Sequence, residues 1–268
     1  MRDFQKPGRS VVRARNGMAA TSHPLSTLAA VNVLQGGGNA LDAAVAACAV
    51  LCVVEPQSTG IGGDCFCLYA PAGSNDVIAM NGSGKAPAGA TIDWFEDQGI
   101  TALDPLSPHV VTVPGAVRAW EALLAKHGRK GLDAVLQPAI GLAEHGHPVH
   151  DRTASDWASS RDKLAGDPDS RVKFLRDGAA LKAGEVFRQP ELAATLRAIA
   201  KGGAKAFYEG PIAADMVAKL RSLGGLHTEE DFANATAEFV TPIRGKFRGY
   251  EVVQCPPNGS GLIALNGA

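Results

Sequence analysis

Twelve consecutive residues without a charge, Ala43 to Val54, constrain this chain more than any other stretch. Asp42 and Glu55 bracket them, a glycine cluster (Gly36, Gly37, Gly38) precedes them, and Pro56 stops them. Leu41, Val45, Cys48 and Cys52 recur at spacings of four, three and four, which is helical. The remaining faces are Ala, Val and Leu, so the helix reads as apolar all round and central to a core, with Ala44 and Ala47 both inside it. It is too short to cross a bilayer, which takes about 18 or more apolar residues. A second glycine cluster (Gly60, Gly62, Gly63) then leads into the strand-like CFCLY.

At 268 residues the chain has ample material for a core, and residues 1–268 read as a single αβ domain. Its 26 basic and 27 acidic residues leave a net charge of −1, which gives no electrostatic case for nucleic acid or an anionic membrane as partner. The opening MRDFQKPGRS carries charges with no apolar run behind them, so no signal peptide is visible and a cytoplasmic location is expected, unless a leader lies outside this sequence. Five cysteines do not make a secreted disulfide framework. Cys48, Cys52, Cys65 and Cys67 lack a CxxC pair or a neighbouring His, so buried small hydrophobes are favoured over a zinc site.

Residues 1–16 suggest a polar arm ending in a short strand at Val11-Val12. SHPLSTLAAVNVL predicts a helix capped by Ser22, with Leu25, Leu28, Val31 and Leu34 on one stripe. CFCLY and VIAMN, separated by PAGSND, predict a hairpin that leaves through the polar loop NGSGKAP, residues 81–87. Ser107 to Gly115 reads as extended. Helices are then predicted around Val117–Leu124, from Leu132 past Pro138 toward Gly146, after Pro190, and after Pro211, with a Thr228/Asp231 capping box. Residues 151–186 read as an exposed helix and loops, and FRGYEVVQC as one strand before the breaker PPNGSG.

Elementary chemistry excludes more than it selects. Neither glycine cluster has the third glycine or alanine of a dinucleotide fingerprint, and Gly84-Lys85 is followed by Ala86 rather than Ser or Thr. His145, His147 and His150 are candidate metal ligands, but Gly146 and Pro148 make HGHPVH a turn, and a solvated turn is favoured. No GxSxG elbow is present.

An ordered set of motifs carries a resemblance. Gly37-Gly38-Asn39-Ala40-Leu41-Asp42-Ala43-Ala44-Val45-Ala46, Val54-Glu55-Pro56 and Gly60-Ile61-Gly62-Gly63 are similar to the N-terminal signature of γ-glutamyltranspeptidases. Thr112-x-Pro114-Gly115, Gln137-Pro138-Ala139-Ile140-x-Leu142-Ala143-Glu144, Phe207-Tyr208-x-Gly210, Gly224-Gly225-Leu226-x-Thr228, Arg248-Gly249-Tyr250 and Pro256-Pro257-x-x-Ser260-Gly261 continue it in order. The resemblance implies an α+β fold, the four-layer αββα sandwich of N-terminal-nucleophile hydrolases, of which this chain supplies the large-subunit part. It also implies a precursor that cuts itself before a threonine. That threonine then attacks a γ-glutamyl amide such as glutathione, using its own α-amino group as base, and passes the acyl group to water or an amine. The partner implied is the small subunit of the same precursor. No cofactor and no metal are called for.

Two departures sharpen the expectation. The nucleophilic threonine is expected beyond Ala268, so no catalytic residue is assigned within this chain, which alone should be inactive. The family's loop after the second strand carries an arginine that grips the substrate carboxylate, and aligning on Ala86-Pro87 puts Ser83 there. Serine cannot form a bidentate, charge-assisted pair. Lys85 or Arg118 is left to supply positive charge, and Ser83 and Lys85 are the substrate-binding candidates. Asp64 after Gly-Ile-Gly-Gly resembles the γ-glutamyltranspeptidase-like and cephalosporin-acylase-like branch. The rival readings are therefore an acylase for another amide and a non-catalytic scaffold relative.

Overall fold

The computed structural model describes residues 11–267. The start of the expected N-terminal arm, residues 1–10, and Ala268 lie outside them. Val11 and Val12 are exposed and form no strand.

The charge-free run does form a helix, and it is the second of a helical hairpin: α1 (Pro24–Gln35) and α2 (Ala40–Val54). The cap of α1 is His23, whose Nδ1 accepts from the Leu25 N–H at 3.2 Å. Ser22, the expected cap, donates its hydroxyl to Glu55 instead, at 2.7 Å. The buried stripe also differs from the leucine pattern: Ser26, Ala29, Ala30 and Val33 face inward, while Leu28 is 53% exposed. Small side chains are needed here because α1 lies close along α2, near enough for the Ser26 hydroxyl to donate to the Ala47 carbonyl at 2.9 Å.

Helix α2 buries eleven of its residues, but Ala44 and Cys48 are exposed, so it is central without being enclosed on every side. Its N-terminus is a capping box in which Asn39 and Asp42 satisfy each other's backbone N–H groups. Asp42 is fully buried, and besides the Asn39 N–H at 2.7 Å its carboxylate accepts from the N–H groups of Arg129 and Lys130 at 3.0 and 3.1 Å.

Strands β1 (Cys65–Tyr69) and β2 (Ile78–Gly82) form the expected antiparallel hairpin, with Cys65 opposite Gly82 and Tyr69 opposite Ile78. Cys65 and Cys67 lie on one face, half-buried, and burial pushes their thiols up to about 12 and about 11. After the short α3 (Ile92–Asp97), the segment expected to be extended contains a 3₁₀ turn at Pro108–Val110. Helix α4 (Ala116–His127) buries Val117, Trp120, Leu123 and Leu124, and Gly128 ends it, as the pattern predicts. The next apolar stripe is split at Leu136 into α5 (Leu132–Val135) and α6 (Gln137–His145).

Residues 151–186, expected to be an exposed helix and loops, are the least legible, and with their flanks they build a small subdomain of their own. They form β3 (His147–Pro148), three short helices, α7 (Asp151–Ser159), α8 (Arg161–Gly166) and α9 (Pro168–Phe174), and the strands β4 (Leu175–Arg176), β5 (Ala179–Ala180) and β6 (Val186–Phe187). In place of exposed loops there is a small core of Val149, Trp157, Leu181 and Phe187, with the Trp157 and Phe187 rings edge-on at 4.8 Å. The chain then returns to the main core through α10 (Pro190–Gly202), α11 (Lys205–Tyr208), α12 (Pro211–Ser222) and α13 (Glu229–Ala233), the last opened by the predicted Thr228/Asp231 capping box. Strand β7 (Glu238–Val240) pairs with β2, giving a three-stranded sheet in the order β1-β2-β7. FRGYEVVQC belongs to a second hairpin, β8 (Ile243–Phe247) and β9 (Tyr250–Gln254), turned at Arg248 and Gly249, both with positive φ, before α14 (Gly261–Asn266). Among the described residues no helix is long and apolar enough to cross a membrane.

Burial separates two alanines of α2 that the sequence alone cannot distinguish. Ala47→Leu, at a 4% exposed position against α1, is expected to cost about 1–3 kcal/mol by overpacking, whereas Ala44→Leu should stay within about 0.5 kcal/mol. Asp42→Ala leaves the N–H groups of Asn39, Arg129 and Lys130 without their acceptor and should cost about 2–3 kcal/mol. Denaturant unfolding of the full-length protein reads all three, and an Ala44→Leu loss equal to that of Ala47→Leu would refute the assigned faces.

Candidate substrate cleft

The loop leaving β2 is fixed by backbone packed directly on backbone. A side chain at Gly84 would run into the Val113 carbonyl, and one at Gly115 into the Gly82 carbonyl, so glycine is required at both. The Val113 N–H donates to the Lys85 carbonyl at 2.9 Å, and the N–H groups of Gly115 and Ala116 both donate to the Gly63 carbonyl at 3.0 Å. The Gly60–Gly63 turn is thus the seat on which α4 begins. Tyr208, buried behind this junction, donates its hydroxyl to the Pro114 carbonyl at 2.8 Å and accepts from the Arg118 N–H at 3.1 Å. On the other side, Asp231 accepts from the Ala88 N–H at 2.9 Å while also capping α13.

This anchored loop borders a cleft of about 340 Å³ lined by Asn81, Ser83, Lys85, Thr236, Glu238 and Asn258. A second cavity, of about 320 Å³, lies behind the same loop, against Val113, Pro114 and Asn234. Sheet register builds one side of the cleft, since Asn81 and Glu238 are direct cross-strand neighbours on β2 and β7. Side-chain amides form its polar wall. The Asn258 Nδ2 donates to the Ser83 hydroxyl at 2.9 Å, the Ser83 hydroxyl donates to Asn81 Oδ1 at 2.8 Å, and Asn81 Nδ2 donates to Asn258 Oδ1 at 3.0 Å. At the rim, Lys85 Nζ lies 4.0 Å from a Glu238 carboxylate oxygen, with both side chains mostly in solvent.

Ser83 and Lys85, singled out from the sequence, are therefore brought to one cleft. Arg118 is not. Its Nε donates to the Ala235 carbonyl at 3.1 Å, its guanidinium reaches Glu121 at 3.3 Å, and it lies 4.7 Å from the Tyr208 ring centre. Glu238 and Asn258 escaped sequence reasoning. Their places depend on a strand register and a turn contact between segments far apart in the chain, which no local pattern encodes.

The histidines of HGHPVH take separate paths, which corrects the solvated-turn expectation. His145 is exposed, His150 caps α7 by accepting from the Arg152 N–H, and His147 is buried in β3 at 2% exposure. Burial, reinforced by the nearby His23, pushes His147 down to about 4. His23, itself 3% exposed, is lowered by burial against the pull of Glu55. Among the described residues no group of three or more His, Cys, Asp or Glu is placed to hold a metal ion.

A buried neutral histidine sets the sign of a pH effect. The unfolded chain takes up a proton near pH 6.5 and the folded chain only near pH 4, so stability is lost as the pH drops through that window. The loss attributable to His147 should reach about 2–3 kcal/mol at pH 4. Chemical denaturation between pH 7 and pH 4 checks this, and His147→Leu should flatten the profile.

Comparison with known proteins adds identity to this geometry. A sequence model described as gamma-glutamyltranspeptidase matches residues 26–267. The glutathione hydrolase-like YwrD proenzyme of Bacillus subtilis is 38% identical over 248 residues, covering 92% of this chain and 47% of that protein. Among solved structures, a cephalosporin acylase from Bacillus halodurans superposes with a TM-score of 0.91 at 40% identity, over 98% of this chain and 50% of the other. The gamma-glutamyltranspeptidase of Helicobacter pylori gives a TM-score of 0.88 at 34% identity, over 94% and 73%. The chain spans about half the length of the curated relatives it matches.

Proposed function

The chain belongs to the gamma-glutamyltranspeptidase family, and from that premise we propose that it is the large-subunit part of an amide hydrolase or acyltransferase. The whole protein is read as a precursor that cleaves itself, and its catalytic threonine as the first residue of a small subunit paired with this chain. The substrate class proposed is γ-glutamyl amides, glutathione among them. One observation carries that choice: the 340 Å³ cleft sets an exposed lysine beside an exposed glutamate over a wall of neutral hydrogen-bonding groups. A γ-glutamyl head carries a carboxylate and an ammonium group on one carbon. In this reading Lys85 takes the carboxylate as a point charge, and Ser83 offers a neutral hydroxyl where a guanidinium would make a bidentate pair.

A second reading, an acylase for a different amide, is favoured by a specific feature. The Ser83 hydroxyl is already tied to Asn81 and Asn258, which leaves little of it for a substrate carboxylate. The 40% identity to a cephalosporin acylase points the same way.

The mature full-length protein separates these readings. Two fragments on a denaturing gel, the smaller opening on threonine, are expected, and a single uncut, inactive chain would leave only a scaffold role. Turnover of a γ-glutamyl anilide is expected. Lys85→Met should raise KM about tenfold with little change in kcat, the signature of a lost ground-state contact. Ser83→Arg should lower KM for the same substrate. Should the protein ignore γ-glutamyl anilide yet cleave an acyl anilide without the amino group, the acylase reading takes its place.

A further inference from the structure

The chain holds four Asn-Gly pairs, at residues 16–17, 81–82, 258–259 and 266–267. In such a pair the glycine nitrogen can close on the asparagine side-chain amide, because a residue without Cβ leaves the approach open and turns freely. The fold sorts the four. Asn81 and Gly82 are held in β2 opposite Phe66 and Cys65, and a side chain at Gly82 would run into Ala119. At the end of α14 the Gly267 N–H donates to the Ile263 carbonyl at 3.0 Å. Asn16 is exposed but borders a groove on α1 and α2 rather than the cleft. Asn258 is exposed on the cleft wall, and among the described residues no hydrogen bond engages the Gly259 N–H. A Cβ at Gly259 would first meet the Phe66 ring, at 3.6 Å, an ordinary contact, so the turn has room. The neighbours also favour attack at the Asn258 side chain. Its Oδ1 accepts from Asn81 Nδ2 at 3.0 Å, and the Ser83 hydroxyl, 3.1 Å away, can turn its proton to the same oxygen. Donors are thus in place where negative charge grows when a nucleophile adds to Cγ.

We propose that Asn258 is a self-modification site, at which the Gly259 nitrogen displaces the side-chain amide and the cleft wall acquires a carboxylate. The Gly259 nitrogen bonds to Cγ and loses its proton, the Cγ–Nδ2 bond breaks, and Nδ2 leaves as ammonia with that proton. Water then opens the resulting succinimide. Cleavage between Cγ and nitrogen leaves aspartate, and cleavage between the main-chain carbonyl carbon and nitrogen leaves isoaspartate. One water is consumed and one ammonia released, and the new acid gives its proton to the ammonia, so no oxidant or cofactor is required. The product lacks the amide that donates to the Ser83 hydroxyl at 2.9 Å, and it sets a second anion in a lining that holds one cation, Lys85, and one anion, Glu238. On the γ-glutamyl reading, on which this last consequence alone rests, a substrate carboxylate is then repelled.

The experiment holds the full-length protein in mildly alkaline buffer, where the Gly259 proton is most easily lost. Peptide mapping by mass spectrometry follows each Asn-Gly pair, and released ammonia is assayed alongside. In the folded protein, conversion at Asn258 should outpace that at Asn81 and Asn266 by about tenfold or more, and the three rates should converge in the denatured chain. Gly259→Ala adds one methyl where there is room for it, and should slow conversion at Asn258 by about tenfold or more. Equal folded-state rates at Asn258 and Asn81, or an Asn258 that converts only when the chain is unfolded, overturns the proposal. For the cleft, Asn258→Asp should raise KM for a γ-glutamyl anilide from the start, and ageing should move the wild type toward the same value with kcat little changed. If no anilide turns over while Asn258 converts as described, the modification stands and the proposed reaction falls. Full conversion with an unchanged KM overturns the assigned effect on the cleft.

Discussion

The buried carboxylate of Asp42 is the interaction on which the rest of the molecule depends. An isolated carboxylate is very costly to remove from water, and this one is tolerable because backbone N–H groups of Asn39, Arg129 and Lys130 converge on it. It also sits in the first turn of α2, where the aligned peptide dipoles favour negative charge. The consequence is topological. The start of the central helix is fastened to the turn that follows α4, and the Asn39 amide adds a bond to the His127 carbonyl at 2.7 Å. Helices α2 and α4 then enclose Leu41, Met80, Ala119 and Leu123, the cluster on which the three-stranded sheet rests.

From that anchored pair the cleft follows by contact. The N-terminus of α4 is held from below by Gly63 and from behind by Tyr208, and the Val113–Gly115 segment so fixed presses on Gly82 and Gly84. Ser83 and Lys85 lie either side of Gly84, so main-chain packing sets where their backbone runs, and the amides of Asn81 and Asn258 then hold the Ser83 hydroxyl. Such a loop is rigid for the same reason that it needs glycine. The Thr228/Asp231 cap performs a second task here, because the carboxylate that closes the first turn of α13 also holds the Ala88 N–H.

Much of this was legible in the sequence and part was not, for physical reasons. The α2 run, the β1–β2 hairpin, the Gly128 stop and the Thr228 cap rest on local periodicity and local hydrogen bonding, which sequence records directly. The stripe of α1 misled because close approach to α2 selects Ser26, Ala29 and Ala30 over the larger Leu28. Residues 151–186 misled because the small core they share with Val149 and Phe187 draws on four well-separated side chains, each unremarkable alone. In the site, Ser83 and Lys85 were found through a motif alignment. Asn258 and Glu238 required the tertiary arrangement of β2, β7 and the turn after β9.

His147, Cys52, Cys65 and Tyr208 are all shifted chiefly by burial, and none lines the cleft around Ser83. Cys52 and Tyr208 are pushed up to about 12, so they stay neutral as packing and hydrogen-bonding groups. The cleft itself offers amides, hydroxyls and one pair of exposed opposite charges. That inventory suits recognition and orientation of a bound group better than proton transfer to it. A threonine that brings its own amine as base would need no other base from its partner, and a wall of fixed hydrogen-bonding groups is what such a nucleophile would lack. The division of labour in the proposed enzyme follows: chemistry from the partner segment, selection of the acyl head from the loop that Asp42, through α4, holds in place.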